Sequence, residues 1–300
     1  MLARLAPFGF VLLWSSSFIA TRAGLRYMTP LAFIALRQAA CALVLLALVL
    51  AWRRSLAPLA GRWQHCAVAG VLINGIMVMA AHWGMVRVGA APMALVQALH
   101  PLLTSALAVP LLGERLRARQ WLGLLMGAAG VGLIAGLAAA QSRAQLGGLA
   151  VGAGGVLALT AGTLYFGRFC RGVPLLTGTM VQFLAAGAVC IGATFAFETP
   201  HVAWTDTAVA AIAWNAGAVS LGGMALYFFM LKHGTAARTT ANFYLVPGTT
   251  AVLAWLLLGE RVSLLAALGI AVASFGCWLV NAPRRSPSRA AAALQRATHR

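Results

Sequence analysis

Ten apolar runs fill this chain almost end to end, each close to the roughly 20 residues that a helix needs to cross a ~30 Å hydrocarbon core. They fall at about 5–24, 30–51, 64–86, 90–112, 120–140, 147–167, 174–197, 207–231, 236–258 and 262–281. In hydrocarbon a backbone amide finds no water, so runs of this kind fold as helices whose hydrogen bonds are internal. The connections are short, which makes neighbouring helices antiparallel and leaves no room for an extramembrane domain. Composition agrees: 62% of residues are hydrophobic, mean hydropathy is +0.89, and 9% are charged, against about 25% in soluble domains. Arg4 followed by Leu5–Leu13 has the outline of a signal peptide, but the apolar stretch continues through Trp14 to Ala20 with nothing soluble after it. It reads as a retained first span.

The charges are lopsided, with 22 basic residues against 4 acidic, a net charge of +18, and Lys232 as the single lysine. The arginines form no stripe along one face, so nucleic acid is not the expected partner; a lipid bilayer is. Placing the N-terminus in the cytoplasm puts 16 basic residues on inside segments and 5 outside, with Arg37 left within a span. That split, with an even number of spans, predicts a multi-pass protein of a bacterial-type inner membrane with both termini cytoplasmic. Residues 283–300 carry Arg284, Arg285, Arg289, Arg296 and Arg300 among Ser, Pro and Ala, and read as a basic disordered tail on anionic headgroups. Trp52, Trp63, Trp121 and Trp204 sit near span ends as interface anchors. The five cysteines show neither CxxC pairing nor zinc spacing, so they read as small packing residues. No metal or cofactor is expected.

Gly113-Glu114-Arg115 and Gly259-Glu260-Arg261 each split a pair of spans. Aligning them sets an offset of 146 residues, at which 94–133 and 240–279 match at thirteen of forty positions without a gap. Pro101/Pro247, Thr104/Thr250, Gly123/Gly269 and Gly130/Gly276 are among the matches. Five spans per copy is odd, so the second copy enters the membrane upside down. The expected fold class is therefore all-α integral membrane: ten transmembrane helices as two inverted five-helix repeats, at 5–140 and 147–281.

Ala94–Gly136 and Thr239–Val280 resemble the second half of an EamA-type repeat of the drug/metabolite transporter superfamily. Trp14-Ser15-Ser16-Ser17-Phe18 and Leu36-Arg37 are similar to the family's first and second helices, and the resemblance covers nearly all of residues 6 to 281. It implies a secondary transporter working by alternating access on a small-molecule substrate. Export of an amino acid or related metabolite is the first expectation, and drug or cation efflux the second. A non-transporting membrane subunit or embedded enzyme is the alternative class; a homodimer is left open. The turn after Gly-Glu usually supplies a Ser or Thr cap, which Ser263 matches and Arg117 does not.

Chain-wide there is no HExxH, GxSxG or Walker loop and no metal-spaced cluster, so no catalytic residue is expected. Buried polar residues are the better guide, because membranes turn them inward. Pro101 and Pro247 stand at equivalent depths and each frees a carbonyl, which makes them candidate hinges beside a central site. Gln97, His100 and Thr104 share a helix face there, with Asn242, Tyr244 and Thr249 beside the second proline. Trp14, Ser17, Asn74, His82, Tyr165, Gln182, Asn215 and Tyr227 complete the cavity candidates. Individually each reads first as a helix-packing contact; together they are too many for packing alone. Arg37 lies about two turns inside the second span, while Glu114, Glu198, Asp206 and Glu260 all fall at span ends. It is either a snorkelling structural arginine or the holder of a substrate carboxylate or phosphate. His100 is either an interhelical hydrogen-bonder or the proton carrier of a coupled transporter; without such a carrier, transport is facilitative.

Overall fold

The computed structural model describes residues 2–100, 103, 104, 107, 118–170, 172–223, 226, 230, 242–260 and 263–281. These are helical, apart from turns and one isolated antiparallel bridge between Met28 and Val202. In chain order we label α1 Leu2–Gly24, α2 Pro30–Ala51, α3 Trp63–Gly70, α4 Met77–Val88, α5 Ala90–Gln97 and α6 Ala118–Gln141. Then follow α7 Arg143–Phe169, α8 Leu175–Phe197, α9 Asp206–Ala213, α10 Val246–Leu258 and α11 Leu264–Asn281. Five stretches are long and apolar enough to cross a membrane: Leu5–Gly24, Pro30–Ala51, Trp63–Val88, Arg143–Phe169 and Leu175–Phe197. Val246–Leu258 and Leu264–Gly276 are shorter apolar helices. The chain is an all-α integral membrane protein.

Helix ends follow local chemistry. Pro30 starts α2 where its missing N–H is not needed. Ser142, Thr205 and Ser263 accept from the amides of Gln145, Ala208 and Ala266 at 3.2, 3.3 and 3.2 Å, so the expected cap at Ser263 is made. Arg117 lies outside the described residues. Gly259 ends α10 in the left-handed region at φ 68°. Two π-helical segments interrupt the regular turns: Val71–Ile76 joins α3 to α4, and Trp214–Gly223 follows α9. Each widens the helix and shifts side-chain register, a feature frequent at functional sites.

Prolines leave related marks. α5 stops at Gln97, and Ala98 and Leu99 pass into a tighter turn in which the Leu99 amide bonds Val96 rather than Leu95. A proline at 101 has no N–H to give the Gln97 carbonyl; Pro101 itself lies outside the described residues. In the second half a 3-10 turn at Asn242–Leu245 gives way to α10 at Pro247.

The helices pack as α2 and α3 on α8, α4 on α7, α6 on α11, and α1 on both α10 and the π segment after α9. Where α6 crosses α11 the backbones touch. An added Cβ at Gly130 would stand 2.5 Å from the Gly269 carbonyl oxygen, and one at Gly276 2.6 Å from that of Gly123. Those two contacts fix the pair as antiparallel. The central core joins Phe18 of α1, Met85 of α4, Met93 of α5, Val156 of α7 and Val246 of α10. Trp52, Trp63, Trp121 and Trp204 are exposed, as interface anchors are.

Candidate substrate site

Polar side chains from four helical segments gather along the last two turns of α1. Ser17 donates to Asn215 Oδ1 at 2.7 Å, and Asn215 Nδ2 donates to the Ala211 carbonyl at 3.0 Å. Ser220 donates to the Asn215 carbonyl at 2.8 Å, an i to i+5 contact that the wide π turn creates. Its oxygen then accepts from Arg37 Nη2 at 3.0 Å. One turn along α1, the Thr21 hydroxyl meets His82 Nε2 at 3.4 Å. His82 Nδ1 lies 2.8 Å from the Val78 carbonyl, which only accepts, so Nδ1 carries the proton and Nε2 takes one from Thr21.

Arg37 is the unusual member. Its Nε is shielded from water yet has no hydrogen-bond partner among the described residues. Each acid among the described residues serves a helix end instead. Glu198 accepts from the Leu31 amide at 3.0 Å, Asp206 lies in the first turn of α9, and Glu260 accepts from the Ala90 amide at 3.3 Å. Arg37 as a whole is half-buried; shielding part of a guanidinium from water is costly, and one serine hydroxyl offsets only part of that.

The other candidates separate into distinct groups. Gln38 Nε2 donates to the Asn74 carbonyl and Asn74 Nδ2 to Gln182 Oε1 at 3.5 Å, linking α2, the first π segment and α8. His100 Nδ1 lies 3.1 Å from Thr160 Oγ1 of α7, and Thr104 donates to the His100 carbonyl at 2.8 Å. The His100–Thr160 contact joins two helices, while the Thr104 bond stays within its own turn. Tyr165 stands toward the far end of α7, where its hydroxyl meets His65 Nδ1 at 2.7 Å beside Phe169. Trp14 packs on Phe10 with ring centres 5.4 Å apart. Gln97 is half-buried at the end of α5, and Asn242 Nδ2 faces the Met230 sulfur at 3.7 Å. Tyr227 and Pro101 lie outside the described residues, as does the side chain of Tyr244. Ser15 bonds the Val246 carbonyl at 3.3 Å, tying α1 to the turn before Pro247.

The sequence reading missed Thr21, Gln38, Thr160 and Ser220, all buried and all partners of named candidates. Ser220 had a signal, standing five residues after Asn215 in a Gly-rich run; the other three look like ordinary helix residues.

The model of the EamA-like transporter family matches this chain twice, over residues 2–136 and 146–282. A protein of Escherichia coli (strain K12) named "Uncharacterized inner membrane transporter YedA" is 27% identical over 285 residues, covering 92% of this chain and 89% of that protein. A protein of Streptantibioticus cattleyicolor named "Probable terminal-alkyne amino-acid exporter" is 29% identical over 279 residues, covering 90% of each. A crystal structure of a protein 24% identical superposes with a TM-score of 0.66, covering 93% of this chain and 96% of that one, a likeness of fold alone. The family's members are transporters and not enzymes.

Proposed function

The chain belongs to the EamA-like transporter family, and from that premise we propose that it exports a small amino-acid-like metabolite across a bacterial inner membrane. Arg37 carries the reading: a half-buried guanidinium whose shielded Nε has no partner among the described residues, and whose Nη2 has one neutral partner, suits a carboxylate, which accepts two parallel N–H bonds. Cation efflux fits less well, because no acid lies near Arg37 among the described residues. The names of the two relatives support the membrane and the amino-acid class.

Transport proceeds by alternating access between two inverted five-helix repeats, with both termini cytoplasmic. Support for the inversion comes from α6 and α11, where positions 146 apart make reciprocal contacts, Gly130 on Gly269 and Gly276 on Gly123. A repeat related by an axis along the membrane normal would run these two helices parallel. Arg22 and Arg87 stand at one end of the bundle, while Arg53, Arg54, Arg62 and Arg168 stand at the other, cytoplasmic one. The interruptions near Pro101 and at Pro247 act as hinges, and Asn242 and Gln97 flank the path. His100, held by Thr160, serves as a helix-to-helix bonder. Transport is then facilitative, driven by the substrate's own gradient.

Inside-out membrane vesicles test direction and class together. Vesicles bearing the protein should take up a labelled amino acid, down its gradient, several-fold faster than vesicles without it, and Arg37→Gln vesicles should not. Accumulation of organic cations with no amino acid among the substrates would overturn the reading.

A further inference from the structure

A second polar centre lies at the end of the molecule where α1, α4 and α10 finish and α5 begins. Arg22 Nε is 3.2 Å from Glu260 Oε1, and both side chains are partly open to solvent. Arg22 Nη1 also donates to the Met85 and Val86 carbonyls, each at 3.2 Å. Glu260 Oε2 accepts from the Ala90 amide at 3.3 Å. The cation therefore sits on the last carbonyls of α4 and the anion on the first amide of α5, each where the helix dipole favours it. Between those helices stands Gly89 at φ 87°, where an added Cβ would lie 3.1 Å from Glu260 Oε2.

We propose that Arg22, Glu260 and the break at Gly89 form the gate that closes the substrate path at this end of the protein. Arg22, Gly89 and Ala90 belong to the first family match and Glu260 to the second, so the ion pair spans the two halves that must separate. Arg22 directly follows Thr21, and Met85 lies three residues beyond His82, so the closure sits within one turn of the Thr21–His82 contact. Partial exposure makes the closure reversible. Water replaces the partners of a half-exposed pair as it opens, whereas a fully buried pair would leave two bare charges. The inference rests on the alternating-access part of the reading above and not on the substrate.

Labelling tests it without any substrate. Thr21→Cys, in full-length protein with the five native cysteines replaced by Ser, reports access when a membrane-impermeant cationic thiol reagent is added from the Glu260 side. Glu260→Gln keeps an acceptor for the Ala90 amide and removes only the charge. It should raise the labelling rate about three- to tenfold, and Arg22→Gln likewise. On the unaltered pair, raising salt from about 0.05 to 1 M should speed labelling, corrected against Trp204→Cys in an exposed loop, and should do little in Glu260→Gln. If either variant fails to fold, the salt series decides. Rates indifferent to both substitutions, or to salt when the pair is intact, overturn the gate and leave the substrate reading standing.

Discussion

Arg22 and Arg37 lie on successive helices and are satisfied in opposite ways. Arg22 has a carboxylate and two carbonyls around its guanidinium, and part of it reaches water. Arg37 has the Ser220 hydroxyl on one nitrogen and a shielded Nε with no partner among the described residues. The acids follow the same division: those described cap helix ends, and none is spent on Arg37. A protein that needed Arg37 only for architecture would gain by giving it the carboxylate that Arg22 has. That contrast is what supports the two proposals, Arg22 for closure and Arg37 for an anion that comes and goes.

The sharpest break of that contrast is Arg37→Gln. Losing a charge-assisted contact of about 1.5–3 kcal/mol predicts transport of a carboxylate substrate lowered roughly 10- to 100-fold. Membrane abundance should hold, because no buried partner is orphaned except a serine that keeps its bond to the Asn215 carbonyl. Arg37→Lys should recover only part of the activity, since an ammonium cannot make the two-pronged contact.

Gly89→Ala comes next and acts on the other arginine. It forces a side chain into a left-handed backbone and against Glu260 Oε2, a cost of about 1–3 kcal/mol. Purified protein should melt at a lower temperature. Smaller again is Glu260→Gln, expected to lower stability by about 1 kcal/mol or less at low salt, with the difference fading as salt is raised. A thermal-shift series at two ionic strengths reads both variants. The smallest effect belongs to His100→Gln: an amide can still bond Thr160, so transport should stay within about twofold of the unaltered protein. A tenfold loss there would move His100 out of the helix-bonding group and beside Arg37.

Much of this arrangement is legible in the sequence. Runs near 20 residues locate the helices, and the glycine after each α4- and α10-type run marks its end because a left-handed turn is cheap only there. Gly89 and Gly259 fill that role at φ 87° and 68°. Prolines foretell the interruptions after Gln97 and before α10. What stays hidden is register between helices. Arg22 and Glu260 are 238 residues apart and nothing local marks them as neighbours. The two π segments are hidden as well, since a widened turn reads as the same apolar periodicity. It is that extra residue that brings Ser220 back to the Asn215 carbonyl and under Arg37.

The discrimination between an amino acid and its own amide tests the central claim most directly. Counterflow in proteoliposomes, with wild type beside Arg37→Gln, measures it under one driving force. The account predicts a wild-type preference for the carboxylate of about tenfold or more, collapsing to about threefold or less in the variant. An equal preference in the two proteins would show that Arg37 does not read the anion and would contradict the account.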